Sequence, residues 1–202
     1  MKNFSALFLL TLTILLSACQ NNQNNAAASA DEAANAEAKK TTLVAYFSAS
    51  DAHITAQVAK TLAEAADADL FEIVPEKIYT ADDLNWNDKK GRSTIEMKDS
   101  TARPAVASKV DNMDQYTTIY VGFPIWWYTA PRIVNTFLEQ YDLTGKTIIP
   151  FATSGGSGMG NSGEDLKKAS APTANWILPG KVLNGNPPVD SLKAWVETLN
   201  LK

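Results

Sequence analysis

The chain of 202 residues contains one cysteine, Cys19, and one histidine, His53. A single Cys cannot form a disulfide within the chain. Together the two counts rule out a Cys-based zinc cage, a Cys–His nucleophile pair and a multi-His metal centre. Positive charge is also short: 18 Lys and Arg stand against 22 Asp and Glu, a formal net charge of −4. Non-specific nucleic-acid binding needs basic stripes, so no nucleic-acid partner is expected. There is no internal repeat and no GxSxG nucleophile elbow. Core-forming residues are plentiful: 45% of the chain is hydrophobic and 20% charged, as in a globular protein. The length allows one domain plus appendages.

The first forty residues read as appendage. Met1 and Lys2 give a short basic start, and Phe4 to Leu16 is an apolar run of signal-peptide length, too short to span a bilayer comfortably. It ends in Leu16-Ser17-Ala18-Cys19, which resembles the lipobox of bacterial lipoproteins. The resemblance implies that residues 1–18 are a signal peptide cut before Cys19. Acyl chains on Cys19 would then anchor the protein to a membrane facing the periplasm. Gln20, in a place where Asp tends to hold such proteins at the inner membrane, favours the outer one. Residues 19–41 read as the lipidated Cys and a flexible tether. The stretch from Gln20 to Lys40 is rich in Asn, Ala and Glu and carries no aromatic or β-branched residue.

From residue 42 to 202 the pattern alternates strand and helix. Thr42 to Phe47 is a continuous apolar run, as expected of a parallel strand buried on both faces. Val58, Leu62 and Ala65 form a helical stripe, and Leu70 to Val74 is a second strand. Pro75 to Pro104 is long and polar, and a loop of that length in a compact domain is usually functional. Ala105 to Met113 reads as a weak helix. Ile119 to Phe123 is a third strand, followed by a helix that begins at Pro131 and runs through Tyr141. Thr147 to Ala152 is a fourth strand, Glu164 to Ala171 a short helix, Lys181 to Leu183 a fifth strand and Pro188 to Leu199 a closing helix. This alternation predicts an α/β fold, a doubly wound three-layer domain on a parallel sheet.

Three segments follow strands and should crowd one edge of that sheet, where open α/β sheets bind ligands. The first, Ser48 to Thr55, is a hydroxyl-rich turn at a helix start, a natural phosphate site because free N–H groups and the helix dipole face the anion. Ser50 and Asp51 have the alternative reading of plain N-caps. His53 and Ile54 belong to the same turn, and His53 becomes an anion contact if the turn holds phosphate. The second segment, Pro124, Ile125, Trp126, Trp127 and Tyr128, displays aromatics on a loop, as a stacking surface for a flat ligand would. One of the two tryptophans is expected to cover the sheet edge instead. The third, Thr153 to Gly158, is a flexible polar loop whose candidate binding residues are Thr153, Ser154, Gly155, Gly156 and Ser157.

Two phosphate-loop look-alikes fall away. Gly158 to Gly163 matches GxGxxG but starts well past the strand end, with no strand-end acid at the right distance. Gly145-Lys146-Thr147 precedes a strand rather than following one, and Gln140 stands where a first Gly would be required.

Three blocks together resemble the flavodoxin-like family, in particular a branch with a GFPIWWY motif. They are Gly122 to Tyr128 with Pro131; Asn85, Trp86, Arg92, Ser93, Thr94 and Glu96; and Phe151 to Ser157. The resemblance covers Thr42 to about Leu199 and implies a five-stranded sheet of order 2-1-3-4-5 and non-covalent FMN. It further implies that Ser48, Ser50 and Thr55 hold the phosphate. Pro124 to Tyr128 would flank the flavin ring, and Thr153 to Ser157 would offer N–H groups to its polar edge. The family's turn usually has Gly where Asp51 stands, and here the turn runs two residues longer. No side chain calls for an acid–base role and no metal is implied. The expected function is membrane-tethered electron transfer, or FMN-dependent oxidation and reduction with a quinone or nicotinamide substrate or another redox partner. The alternative is a ligand-binding module of the same fold that has lost or altered FMN binding.

Overall fold

The structure, a computed structural model, describes residues 39–201. The apolar leader, Cys19 and the tether as far as residue 38 lie outside the described residues. The unit from Lys40 to Lys202 is therefore taken by itself.

Six strands form one sheet: β1 (Thr42–Tyr46), β2 (Asp69–Glu72), β3 (Thr118–Pro124), β4 (Thr147–Thr153), β5 (Asn175–Trp176) and β6 (Lys181–Val182). Their order is β2-β1-β3-β4-β5, with β6 also on β4, and every pairing is parallel. The five α-helices are α1 (Ile54–Ala65), α2 (Arg92–Lys98), α3 (Arg132–Leu138), α4 (Ser162–Ser170) and α5 (Val189–Thr198). The family order 2-1-3-4-5 is thus realised.

Successive strand residues point to opposite faces, so apolar runs supply two cores at once. Leu43, Ala45, Ile119, Val121, Phe123 and Ile148 pack with Ile133, Val134 and Phe137 of α3 and Leu166 of α4. Val44, Tyr120, Ile149 and Phe151 pack with Val58 and Leu62 of α1 and Leu192 and Trp195 of α5. Gly122 is where β3 must lack a side chain, because a Cβ there would stand 2.1 Å from Cζ of Phe151.

Four elements differ from expectation. Ala105 to Met113 is not a helix. Val106 forms an antiparallel bridge with Pro75, and the N–H of Ala107 donates to Val74 O at 2.8 Å. This extended pairing suits a β-branched residue better than a helix with few apolar positions. A single 3₁₀ turn, Met113–Gln115, follows. Second, the long polar stretch contains α2, whose buried face carries Ser93 and Thr94 beside Met97, so no apolar stripe announces it. Third, Pro131 caps α3 rather than opening it, and α3 ends at Leu138, before Tyr141.

The fourth difference is the divided fifth strand. Carbonyls of Ile148 and Ala152 accept from the N–H groups of Ile177 and Leu183 at 2.9 and 2.8 Å. Alternate residues of a strand bond to the same neighbour, so Pro150 faces that side too. It has no N–H to give, and the neighbouring strand is interrupted there. Gly180 crosses the gap at φ 87°, where a Cβ would meet Pro150 O at 2.2 Å.

Candidate functional site

Loops leaving the carboxyl ends of β1, β3 and β4 converge on a cleft of about 570 Å³. The first turn contributes Ser50, Ile54 and Thr55, and the second loop Pro124, Ile125 and Trp126. Thr153, Ser154, Gly155 and Gly156 come from the third. Trp127, Tyr128 and Ser157 line an adjoining hollow that shares Ile125, Ser154, Gly155 and Gly156. Ser48 and His53 are not among the residues lining either space. Sequence reasoning missed Ala49, Leu84, Asn184 and Gly185, which complete the cleft. Asn184 and Gly185 follow the last strand, so the strand-end rule applied to the other three loops would have found them.

The first turn is closed by the His53 N–H donating to Ser50 O at 2.9 Å. His53 is itself the N-cap of α1, in the left-handed region at φ 49°, and no side chain caps the helix. Ser50 and Asp51 are therefore not caps. The first-turn N–H groups of α1 keep their donor capacity, and the helix presents its positive dipole end there. Asp51 is exposed and outside the cleft lining. The Ser48 Oγ is buried without a partner. The Thr55 and Thr153 hydroxyls share a hydrogen bond of 2.7 Å that ties the first loop to the third. Whichever hydroxyl accepts keeps its own proton free for a ligand.

The aromatic loop is a tight hairpin. Trp126 and Thr129 exchange both backbone hydrogen bonds at 3.0 Å. The two residues between them, Trp127 and Tyr128, take φ 46° and 65°. Two left-handed central residues are what a type I′ turn requires, and that turn normally uses Asn-Gly. Bulky aromatics in this conformation are strained, roughly 1–3 kcal/mol each, and such strain collects at functional sites. The turn leaves Tyr128 the most exposed of the three aromatics, at 77%.

Trp126, by contrast, packs edge-on against Phe47 and Tyr79, with ring centroids 5.6 and 5.4 Å away. It is the tryptophan that covers the sheet edge. Tyr79 is fixed in turn: its hydroxyl donates to Glu96 Oε2 at 2.5 Å, and the Arg92 guanidinium lies 3.9 Å over its ring. Arg92 Nε donates to Glu96 Oε1 at 2.6 Å. Burial, then the hydrogen bond to Glu96, push the Tyr79 phenol far above its ordinary value, so it stays a neutral donor. The Arg92 and Glu96 of the second sequence block thus support the aromatic wall.

The third loop is less open than expected. The Ser154 N–H donates to Asn184 Oδ1 at 2.8 Å. The N–H groups of Gly156 and Ser157 donate to Ser154 Oγ at 3.2 and 2.8 Å. Of the four residues after Thr153, only Gly155 keeps its N–H unengaged among the described residues. Among those same residues no cluster of three His, Cys, Asp or Glu side chains could hold a metal ion.

A family model described as flavodoxin matches residues 41–199. The chain belongs to the flavodoxin family. This flavodoxin domain is similar to the crystal structure of a provisionally named flavoprotein from Bacteroides eggerthii DSM 20697. Identity is 46% over 81% of this chain and 100% of that one, with a TM-score of 0.75. A second such structure, from Bacteroides uniformis ATCC 8492, is 50% identical over 79% of this chain and 99% of that chain, with a TM-score of 0.73. A flavoprotein in complex with FMN from Lactobacillus acidophilus NCFM is 22% identical over 71% of this chain and 93% of its own, with a TM-score of 0.55, a likeness of fold. No curated protein matches the chain.

Proposed function

We propose that this flavodoxin-family protein binds FMN in the cleft at the carboxyl edge of its sheet. There it serves electron transfer, as a carrier or as an FMN-dependent oxidoreductase. The observation that carries the reading is the cleft's two unlike ends. One has an uncapped helix start with free hydroxyls, suited to a phosphate. The other has an aromatic wall, suited to a flat ring.

The residues present fit the cofactor. Ser48 Oγ is buried without a partner one residue before the cleft lining begins at Ala49, a donor that an anion reaching that depth would satisfy. Ser50, Thr55 and the first N–H groups of α1 would join it around the phosphate. Ile125, Trp126 and Tyr128 would flank the ring with Pro124 and Trp127, and the Gly155 N–H would face its polar edge. His53 ends the turn as the N-cap of α1, outside the lining. Asp51 replaces the family's Gly, and it is exposed and outside the lining. Bound flavin would supply one- and two-electron redox chemistry, and the protein would position it and limit its contact with water.

Full-length protein given FMN is expected to show flavin absorption near ~450 nm. A colourless protein that takes up no added FMN overturns the reading and leaves the altered-ligand module. Ser50→Ala should weaken FMN about ten- to a hundred-fold, the worth of one hydrogen bond to a charged group, and leave riboflavin nearly unchanged. Equal losses for both ligands would mean that the phosphate is held elsewhere.

Location is part of the same proposal: a signal peptide over residues 1–18, acylation at Cys19 and a tether that holds the domain in the periplasm, at the outer membrane in preference to the inner. The support is the Leu16-Ser17-Ala18-Cys19 sequence. Cys19→Ser should move the protein from the membrane fraction to the soluble one. Unchanged fractionation would remove the lipid anchor from the proposal.

A further inference from the structure

A groove of about 450 Å³ runs beside the cleft. Its rim is Trp86, Trp127 and Tyr128, which are 71%, 43% and 77% exposed. Every large exposed aromatic among the described residues therefore lines this one groove. Such residues bury readily, and their convergence from two separate loops marks a binding surface. Its floor is Leu84, Ile125 and Trp126, which also line the cleft, so the two spaces share a wall. The hairpin that displays Trp127 and Tyr128 holds both in the left-handed region. Ser93, the remaining lining residue, directs its hydroxyl to Asp83 O at 2.6 Å, away from hydrogen bonding with a ligand.

The lining contains no Lys, Arg, Asp or Glu. A nicotinamide dinucleotide carries phosphates that call for cations or free helix-start N–H groups. The lining has no cation, and the one helix-start residue in it, Ser93 of α2, already donates its N–H to Asp83 O at 3.1 Å. Its volume is near the lower end of small-molecule sites. We infer that the groove binds a neutral, planar aromatic of one or two rings, of the quinone class, as the electron acceptor of the neighbouring cofactor. The acceptor role rests on the FMN reading. The quinone takes two electrons and two protons from fully reduced FMN to become a hydroquinone, and FMN returns to its oxidised form. The aromatic groove itself does not depend on that reading.

The test uses menadione as probe. Full-length protein is studied by equilibrium dialysis, once without FMN and once saturated with it. Menadione should bind in both cases. Trp86→Ala should weaken menadione by about ten-fold, the worth of one aromatic contact, while FMN affinity stays as in the parent. Trp86→Phe should restore most of the loss. Displacement of menadione by FMN would place it in the cleft and overturn the inference. Equal affinity in Trp86→Ala and the parent would also overturn it, as would NADH competing for the Trp86-dependent site. Menadione bound through Trp86 by a protein that takes up no FMN would support the groove and defeat the cofactor reading, so the two failures are distinct.

Discussion

Trp126 packs edge-on between Phe47 and Tyr79, and Tyr79 is itself held by Glu96 and Arg92. Trp127, one residue later, sits at φ 46° on the outer turn of a hairpin and is 43% exposed. The residue type is the same and the energetic roles are opposite. Trp126 adds apolar contact to the fold. Trp127 costs the fold backbone strain and places its ring where a ligand can reach it. Adjacent aromatics in a sequence therefore need not share a purpose, and the backbone dihedral tells them apart.

The largest effect should come from removing the packed member. Trp126→Ala is expected to lose roughly 3 kcal/mol, toward the low end for a large aromatic because the site is half-buried. Trp127→Ala should stay within about 0.5 kcal/mol of the parent. Urea denaturation of both measures the contrast, and equal losses would erase it. Next is the support beneath Trp126. Tyr79→Phe deletes the donor to the Glu96 carboxylate and should lower stability by about 1–3 kcal/mol in the same assay. On the displayed side the sign reverses. Replacing Trp127-Tyr128 by Asn-Gly supplies the residues the turn geometry favours. It should raise stability by about 1 kcal/mol, read as a higher thermal midpoint. A lower midpoint would mean the two rings hold the fold together after all.

The smallest effect is a pH dependence. The Tyr79 phenol lies above its ordinary value of 10.0, and burial pushes Tyr120 up to about 12. A folded state that retains these protons is favoured fully below pH 10. That advantage is lost as pH rises from there through the raised values, because the unfolded chain ionises first. The urea midpoint should fall above pH 10, and less steeply in Tyr79→Phe. An equal slope in both proteins would mean that Tyr79 gives up its proton as readily folded as unfolded.

Much of the frame was legible because parallel strands announce themselves. The runs around Val44, Val121 and Ile149 are apolar at every position, and their order at one edge fixed which loops could meet. The cleft followed from that edge. The missed parts lacked an apolar signature. Helix α2 buries Ser93 and Thr94, and its docking depends on Ser93 Oγ reaching Asp83 O, a contact between residues ten apart that no periodicity reveals. The type I′ hairpin carries Trp and Tyr where its usual signal would be Asn and Gly. The engagement of the third loop's N–H groups by Ser154 and Asn184 is a tertiary arrangement with no sequence signal of its own.

The gap opposite Pro150 has a consequence for how copies of this protein meet. The margin of a sheet is a row of unpaired backbone groups, and a long flat margin invites a strand from another molecule to dock and begin a growing stack. Here the last position is filled by two segments of two residues, β5 and β6, separated by a stretch containing Pro179 and Gly180. Neither segment is long enough to template a new strand, and the proline between them cannot donate to one. The missing N–H of Pro150 thus divides the sheet's final strand and gives that side of the domain resistance to edge-to-edge polymerisation.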